Sequence, residues 1–226
     1  MKNSNKTIVL ITSLICIAAC VSDYIIDFIL GARYPGYSQL SNTLSELGVS
    51  ASPVSVSIST WWGILGGLFV IFAIGVRKAF PDGGKVIKWA SWLIIIYGLG
   101  DGVSSGVFKI SRFADGQLTN IGLVHDGLGG IGVAAIMILP FVLLKFFPKE
   151  TNHGFHRFSW IILIAGPVML ILFSIAKMLD NPDNFFVMYK GLWQRLMSLV
   201  FYSYLTVLAV RMIRHVYSFK SDEVLL

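Results

Sequence analysis

Along this chain apolar residues come in six long blocks rather than in the short alternations of a soluble fold. They cover about Ile8–Leu30, Ile58–Val76, Trp89–Ile110, Ile121–Leu144, Phe158–Leu179 and Leu192–Ile213. Each is close to the ~20 residues that a helix needs to cross the hydrocarbon core of a bilayer. The pattern therefore predicts an all-α polytopic bundle of six transmembrane helices, one integral membrane domain over residues 1–226. Polar residues interrupt the blocks at helical spacing. Thr12, Cys16, Cys20, Asp23 and Asp27 recur every three or four residues and would form one stripe. Tyr97, Asp101 and Ser105 share a face of the third block, and Arg195, Ser198, Tyr202 and Thr206 a face of the sixth. His125 and Asp126 enter the fourth among Gly122, Gly129 and Gly132.

Composition agrees with the blocks. Of 226 residues 55% are hydrophobic and 13% charged, with mean hydropathy +0.75. A soluble domain carries about 25% charged residues, so half that leaves too little polar surface for a water-soluble globule. The formal charge of +6 is explained by orientation and calls for no nucleic acid. Twelve of the eighteen basic residues fall on one side: Lys2, Lys6, Arg77, Lys78, Lys85, Lys88, Lys145, Lys149, Arg157, Arg211, Arg214 and Lys220. The other side receives Arg33, Lys109, Arg112, Lys177, Lys190 and Arg195. Basic residues accumulate on the cytoplasmic side, which predicts a cell-membrane protein with both termini inside. Asp23, Asp27, Glu46, Asp101, Asp115, Asp126, Asp180 and Asp183 then all lie toward the outer face, with His125. Cys16 and Cys20 read as small buried hydrophobes. A lipidated cysteine at position 20 fits poorly, because the apolar run continues past it to Leu30.

The longest connection, Gly31 to Ser57, is the most distinctive stretch. Pro35-Gly36 signals a turn. Ser38 could then cap a short amphipathic or lid helix ending at Gly48, with Leu40, Leu44 and Leu47 on one face. Such a lid would bring Ser45 or Glu46 over the polar stripes.

The Tyr34-Pro35-Gly36-Tyr37 and Ser41-Asn42-Thr43-Leu44-Ser45-Glu46-Leu47-Gly48 motifs resemble those of a family of prokaryotic membrane proteins, domain of unknown function 998. The lone Asp101, His125 and the Gly191-Leu192-Trp193-Gln194-Arg195 entry to the last block share that resemblance. It covers most of the chain and implies six spans, without an activity to carry over.

Ionisable groups inside a span are costly and usually serve a function. The first function these residues fit is a membrane-embedded enzyme acting on a lipid or lipid-linked substrate through a polar cavity open to the outer face. His125 would be the general base, oriented by Asp101 or Asp126. Ser45, or a water activated by His125, would be the nucleophile, with Glu46 a further candidate. Arg195 would hold a phosphate or a developing oxyanion, with Asp27, Asp126, Tyr202 and Tyr37 completing the substrate site. Membrane lipid is the expected partner. No cofactor is called for, although carboxylates could hold a divalent cation such as calcium. Two other classes stay open: a proton- or cation-coupled transporter, and a non-catalytic lipid-binding, sensory or scaffolding protein.

Overall fold

The structure is a computed structural model that describes residues 3–113, 117–179 and 181–222, with side chains to residue 217. Lys2, Asp115 and Asp180 lie outside the described residues, as does the side chain of Lys220. Six helices are long and apolar enough to span a membrane, as the six blocks predict. They are α1 (Asn3–Ala32), α3 (Ser55–Ala79), a third span that begins with α4 (Gly84–Tyr97), α6 (Asn120–Leu144), α7 (His153–Met178) and α9 (Lys190–Asp222). Short helices α2 (Leu44–Leu47), α5 (Ser104–Val107) and α8 (Phe185–Met188) complete the order, and α5 ends the third span. Among the described residues the one extended pairing is an isolated bridge between Arg112 and Leu118.

The spans pack as a ring: α1 on α3, α3 on α4, α4 on α6, α6 on α7, α7 on α9, and α9 back on α1. On α1 burial is inside-out relative to a soluble bundle. Thr12, Ser13, Cys16, Cys20, Asp23 and Asp27 are buried while Ile11, Leu14, Val21, Ile25 and Phe28 are exposed. An apolar bilayer rewards no apolar burial, so the polar face turns to the bundle and the apolar face to lipid. Among the spans α7 is outermost, with 17% of its apolar window buried against 39–50% for the others.

Two features depart from the pattern of blocks. The third span is broken by a π-helical turn over Gly98–Val103, and Asp101 sits inside it. Close helix contact explains the turn's glycines. A Cβ on Gly102 would stand 2.6 Å from the Gly66 Cα, and one on Gly132 would stand 2.6 Å from the Asp101 backbone nitrogen. With α3 and α6 pressed against it on two sides, the segment widens, and Ser104 Oγ donates to the loosened Gly100 carbonyl. The second departure is the predicted helix from Ser38 to Leu47, of which only Leu44–Leu47 is helical. Ser38 does act as a turn residue: its Oγ accepts from the Leu40 and Ser41 amides. The chain then leaves the helical path because Asn42 folds back, its Oδ1 accepting from the Ser38 amide at 2.8 Å. Leu47 is fully buried and Leu44 half-buried, whereas Leu40 is half exposed.

Candidate functional site

The site is assembled from three neighbouring spaces at the end of the bundle that carries the loop from Arg33 to Val54. Ser45 lines all three. The largest is a cleft of about 680 Å³ between the loop and the ends of α7 and α9, lined by Glu46, Arg112, Lys177 and Lys190. A second, of about 510 Å³, runs down between α6 and α7. His125, Asp126 and Lys177 stand at its polar end and Met137, Ile138 and Leu170 line its apolar depth. The third is a narrow space of about 60 Å³ inside the ring, bounded by Asp23, Tyr97, Asp101, Gln194 and Tyr202.

Thr119 caps α6 by accepting from the Gly122 amide at 3.2 Å, which sets the first turn and places His125. His125 is 5% exposed. Its Nδ1 lies 2.7 Å from the Phe108 carbonyl oxygen and its Nε2 lies 3.2 Å from Ser45 Oγ. A carbonyl can only accept, so Nδ1 carries the proton and Nε2 presents its lone pair to the serine hydroxyl. Neither Asp101 nor Asp126 orients the ring, as the sequence suggests; the carbonyl that ends α5 does. Asp126 instead pairs with Lys177 at 2.8 Å across the mouth of the α6–α7 cavity. Asp101 lines this cavity and the narrow space, so it shares a wall with Ser45 and His125.

Arg195 does not join them. Buried to 6% exposure, it donates through Nη1 to the carbonyls of Asn42 (3.0 Å) and Gly191 (2.9 Å). Nη2 donates to Tyr37 Oη at 2.7 Å. Among the described residues no carboxylate lies within ion-pair distance of it. Asp27 is buried nearby on α1, and its Oδ1 has no hydrogen-bond partner among the described residues. Tyr37 Oη in turn donates to the Thr43 carbonyl at 2.9 Å. Burial pushes the Tyr37 hydroxyl up to about 12, against the lowering pull of Arg195. Tyr202 donates to Asp23 Oδ2 at 2.7 Å, and Trp61 Nε1 donates to Asp23 Oδ1 at 2.7 Å. Glu46 is held by Lys190 at 3.0 Å and by the Asn42 side chain. Among the described residues no three His, Cys, Asp or Glu side chains gather to hold a metal ion.

The sequence motifs at the loop and at the entry of α9 turn out to be two halves of one clamp. Leu192 N donates to the Leu40 carbonyl at 2.9 Å, and Leu44 N donates to Gln194 Oε1 at 2.8 Å. Gly191 lies so close beneath the Asn42 carbonyl that a Cβ there would collide with it. Arg195 ties the same carbonyl to Tyr37. The clamp is what holds α2, and so Ser45, over the cavities. Gln194, Lys177 and the Phe108 carbonyl escape a reading of residue types. The Gln194 amide and the carbonyl carry no sequence signal of a site, whereas Lys177, a charge at the end of an apolar block, could have been singled out.

Ring architecture, an inward polar face on α1 and the spaces around Ser45 at the loop end define a multi-pass α-helical membrane protein. The chain belongs to the family described as Protein of unknown function (DUF998), whose model matches residues 17–211. No curated protein and no solved structure matches the chain.

Proposed function

We propose that this protein is a membrane-embedded serine hydrolase or acyltransferase acting on an ester of a membrane lipid. The observation that carries this reading is the Ser45 Oγ–His125 Nε2 contact of 3.2 Å, with the histidine held in the accepting tautomer by the Phe108 carbonyl. A nucleophile in reach of a base that a third group orients is the constellation acyl transfer needs. Ser45 Oγ bonds the ester carbonyl carbon while its proton passes to His125 Nε2. The resulting oxyanion is met by a neutral donor, the Gln194 Nε2 amide, whose Oε1 is already committed to Leu44. Collapse of the intermediate breaks the ester C–O bond, and the leaving alcohol takes the proton from Nε2. Water, positioned by Asp101, or a second lipid hydroxyl then removes the acyl group from Ser45 by the reverse sequence.

The cavity's shape supports a lipid. From His125 to Ile138 along α6 is ~20 Å of helix rise, polar at one end and apolar at the other. The wall between the spaces and the opposite end supports a one-sided site rather than a conduit: Phe72, Ala73, Val76, Leu208, Ala209 and Met212 are all fully buried there. Twelve basic residues against six support an orientation in which the site faces outward and both termini lie in the cytoplasm. An impermeant thiol reagent added outside should then label Asn181→Cys and spare Asp82→Cys; the reverse pattern inverts the topology.

The chemistry is tested by reacting the protein in nanodiscs with a fluorophosphonate probe. Wild type should be labelled and Ser45→Ala should not, with turnover of ester lipids lost in parallel. Equal labelling of wild type and Ser45→Ala, or none of either, would remove Ser45 as the nucleophile.

A further inference from the structure

At the end of the bundle away from Ser45, α7 and α9 enclose a separate cavity of about 540 Å³. Its rim is Thr151, Asn152, His153, Gly154, Arg211 and Arg214, and Phe158 and Val207 lie deeper. None of the lining residues is acidic. Arg211 is the informative member. Its guanidinium carbon lies 4.3 Å from the Phe147 ring centroid and 5.1 Å from that of Phe155, so two rings fix its direction. Its Nε is buried without a hydrogen-bond partner, and among the described residues no carboxylate pairs with it or with Arg214. An arginine stays charged and its fork suits the oxygens of a phosphate, so a guanidinium held by rings but paired with no carboxylate on a cavity wall points to an anionic occupant.

Two further features say which anion. The first turn of α7 adds donors. The side chain of Asn152, its N-cap residue, makes no capping hydrogen bond and donates instead to Thr151 Oγ1, and Gly154 has open space where a side chain would stand. The cavity also does not stop at the polar rim. Arg214 to Val207 is about 10 Å down α9, which carries the lining from charged residues into the apolar span. A free anion has no use for that wall, whereas a lipid has a chain to lay along it. We infer that this α7–α9 cavity binds the phosphate of an anionic membrane phospholipid, with Arg211 and Arg214 on the phosphate and the acyl chain against Phe158 and Val207. The site is independent of the chemistry at Ser45. In the orientation supported by the basic residues it faces the cytoplasmic leaflet, where anionic lipids are concentrated.

The test is lipid retention by the full chain in nanodiscs of phosphatidylcholine with phosphatidylglycerol, read by native mass spectrometry. A direct hydrogen bond to a charged phosphate is worth about ten-fold, so Arg211→Gln with Arg214→Gln should lower the preference for phosphatidylglycerol about 100-fold. Lys85→Gln with Lys88→Gln, basic residues elsewhere at the same end, should remove only the weaker, salt-screened attraction of the surface, roughly 30-fold at most. Should the double arginine variant not fold, Gly154→Glu places a carboxylate in the open space and should abolish retention with the packing intact. Equal preference in all variants would overturn the site. So would stabilisation of the detergent-solubilised protein by inorganic phosphate alone, lost in the arginine variant, because it assigns the cavity to a soluble anion.

Discussion

The two ends of this bundle are built on opposite rules. Toward the loop the interior is polar and hollow: Asp23, Asp101, His125 and Gln194 come from four spans, and the spaces they line share Ser45. Toward the other end the ring closes mainly on apolar side chains, with Phe72, Val76, Leu139, Leu143, Leu208 and Met212 fully buried and the hydroxyls of Thr12 and Ser159 bonded within their own helices. The contrast teaches how labour is divided in a membrane protein. Lipid offers no hydrophobic drive to hold helices together, so tight packing of one half keeps the ring closed. The other half can then tolerate glycine-thinned crossings, a π-turn and unfilled volume, which are the conditions a site requires.

If that division holds, substitutions at the two ends should fail in different ways. The largest effect expected is on rate: His125→Ala should lower ester turnover about 10³-fold, the contribution of a general base, while thermal unfolding in detergent stays near wild type. Its counterpart is Leu208→Ala, which opens a void in the packed half. That change should cost about 2–4 kcal/mol of stability and leave turnover per folded molecule unchanged. Should His125→Ala unfold the bundle while Leu208→Ala impairs turnover, the two halves would have to be exchanged in function.

A smaller effect sharpens the boundary between site and support. Arg195 touches the loop and not the His125 cavity, so Arg195→Ala should act through the position of Ser45. A displacement of ~1 Å costs about 10²-fold in rate, and labelling by the serine probe should fall in step. Lysine at 195 should rescue little, since one ammonium cannot reach Asn42, Gly191 and Tyr37 together. A variant with unchanged rate would make the clamp dispensable.

The smallest expected effect is a pH dependence. Tyr37 ionises near 10 in an unfolded chain and is pushed up to about 12 in the folded loop. Between those values the unfolded state has lost the proton and the folded state still holds it. The contribution of Tyr37 is therefore complete below pH 10 and is lost as pH rises through 12. Loop detachment, followed by protease cleavage near Gly36, should begin in that window. Tyr37→Phe, which has no proton to lose, should flatten the profile.

Much of the architecture was legible in the chain. Six apolar blocks near ~20 residues leave a bilayer-spanning bundle as the natural reading, because every backbone polar group in lipid must be satisfied within its own helix. The stripe from Thr12 to Asp27 announced its buried face for the same reason: a charge cannot face lipid cheaply. The family membership could be read from the loop and α9 motifs, which proved to be parts of one clamp. The π-turn at Gly98–Val103 could not be read, since three glycines say that a close approach exists without saying from which helix. Nor could the partner of His125. Sequence reasoning pairs side chains with side chains, and the ring is set by the backbone carbonyl of Phe108, a group every residue possesses. Residue type alone puts Arg195 in one site with Asp101 and His125; its direction around the helix axis is settled by the loop packed above it. Depth and face are one-dimensional properties of a helix, and the sequence carries them. Convergence on a point needs the ring's rotation and the loop's return path, and only the packed tertiary structure supplies those.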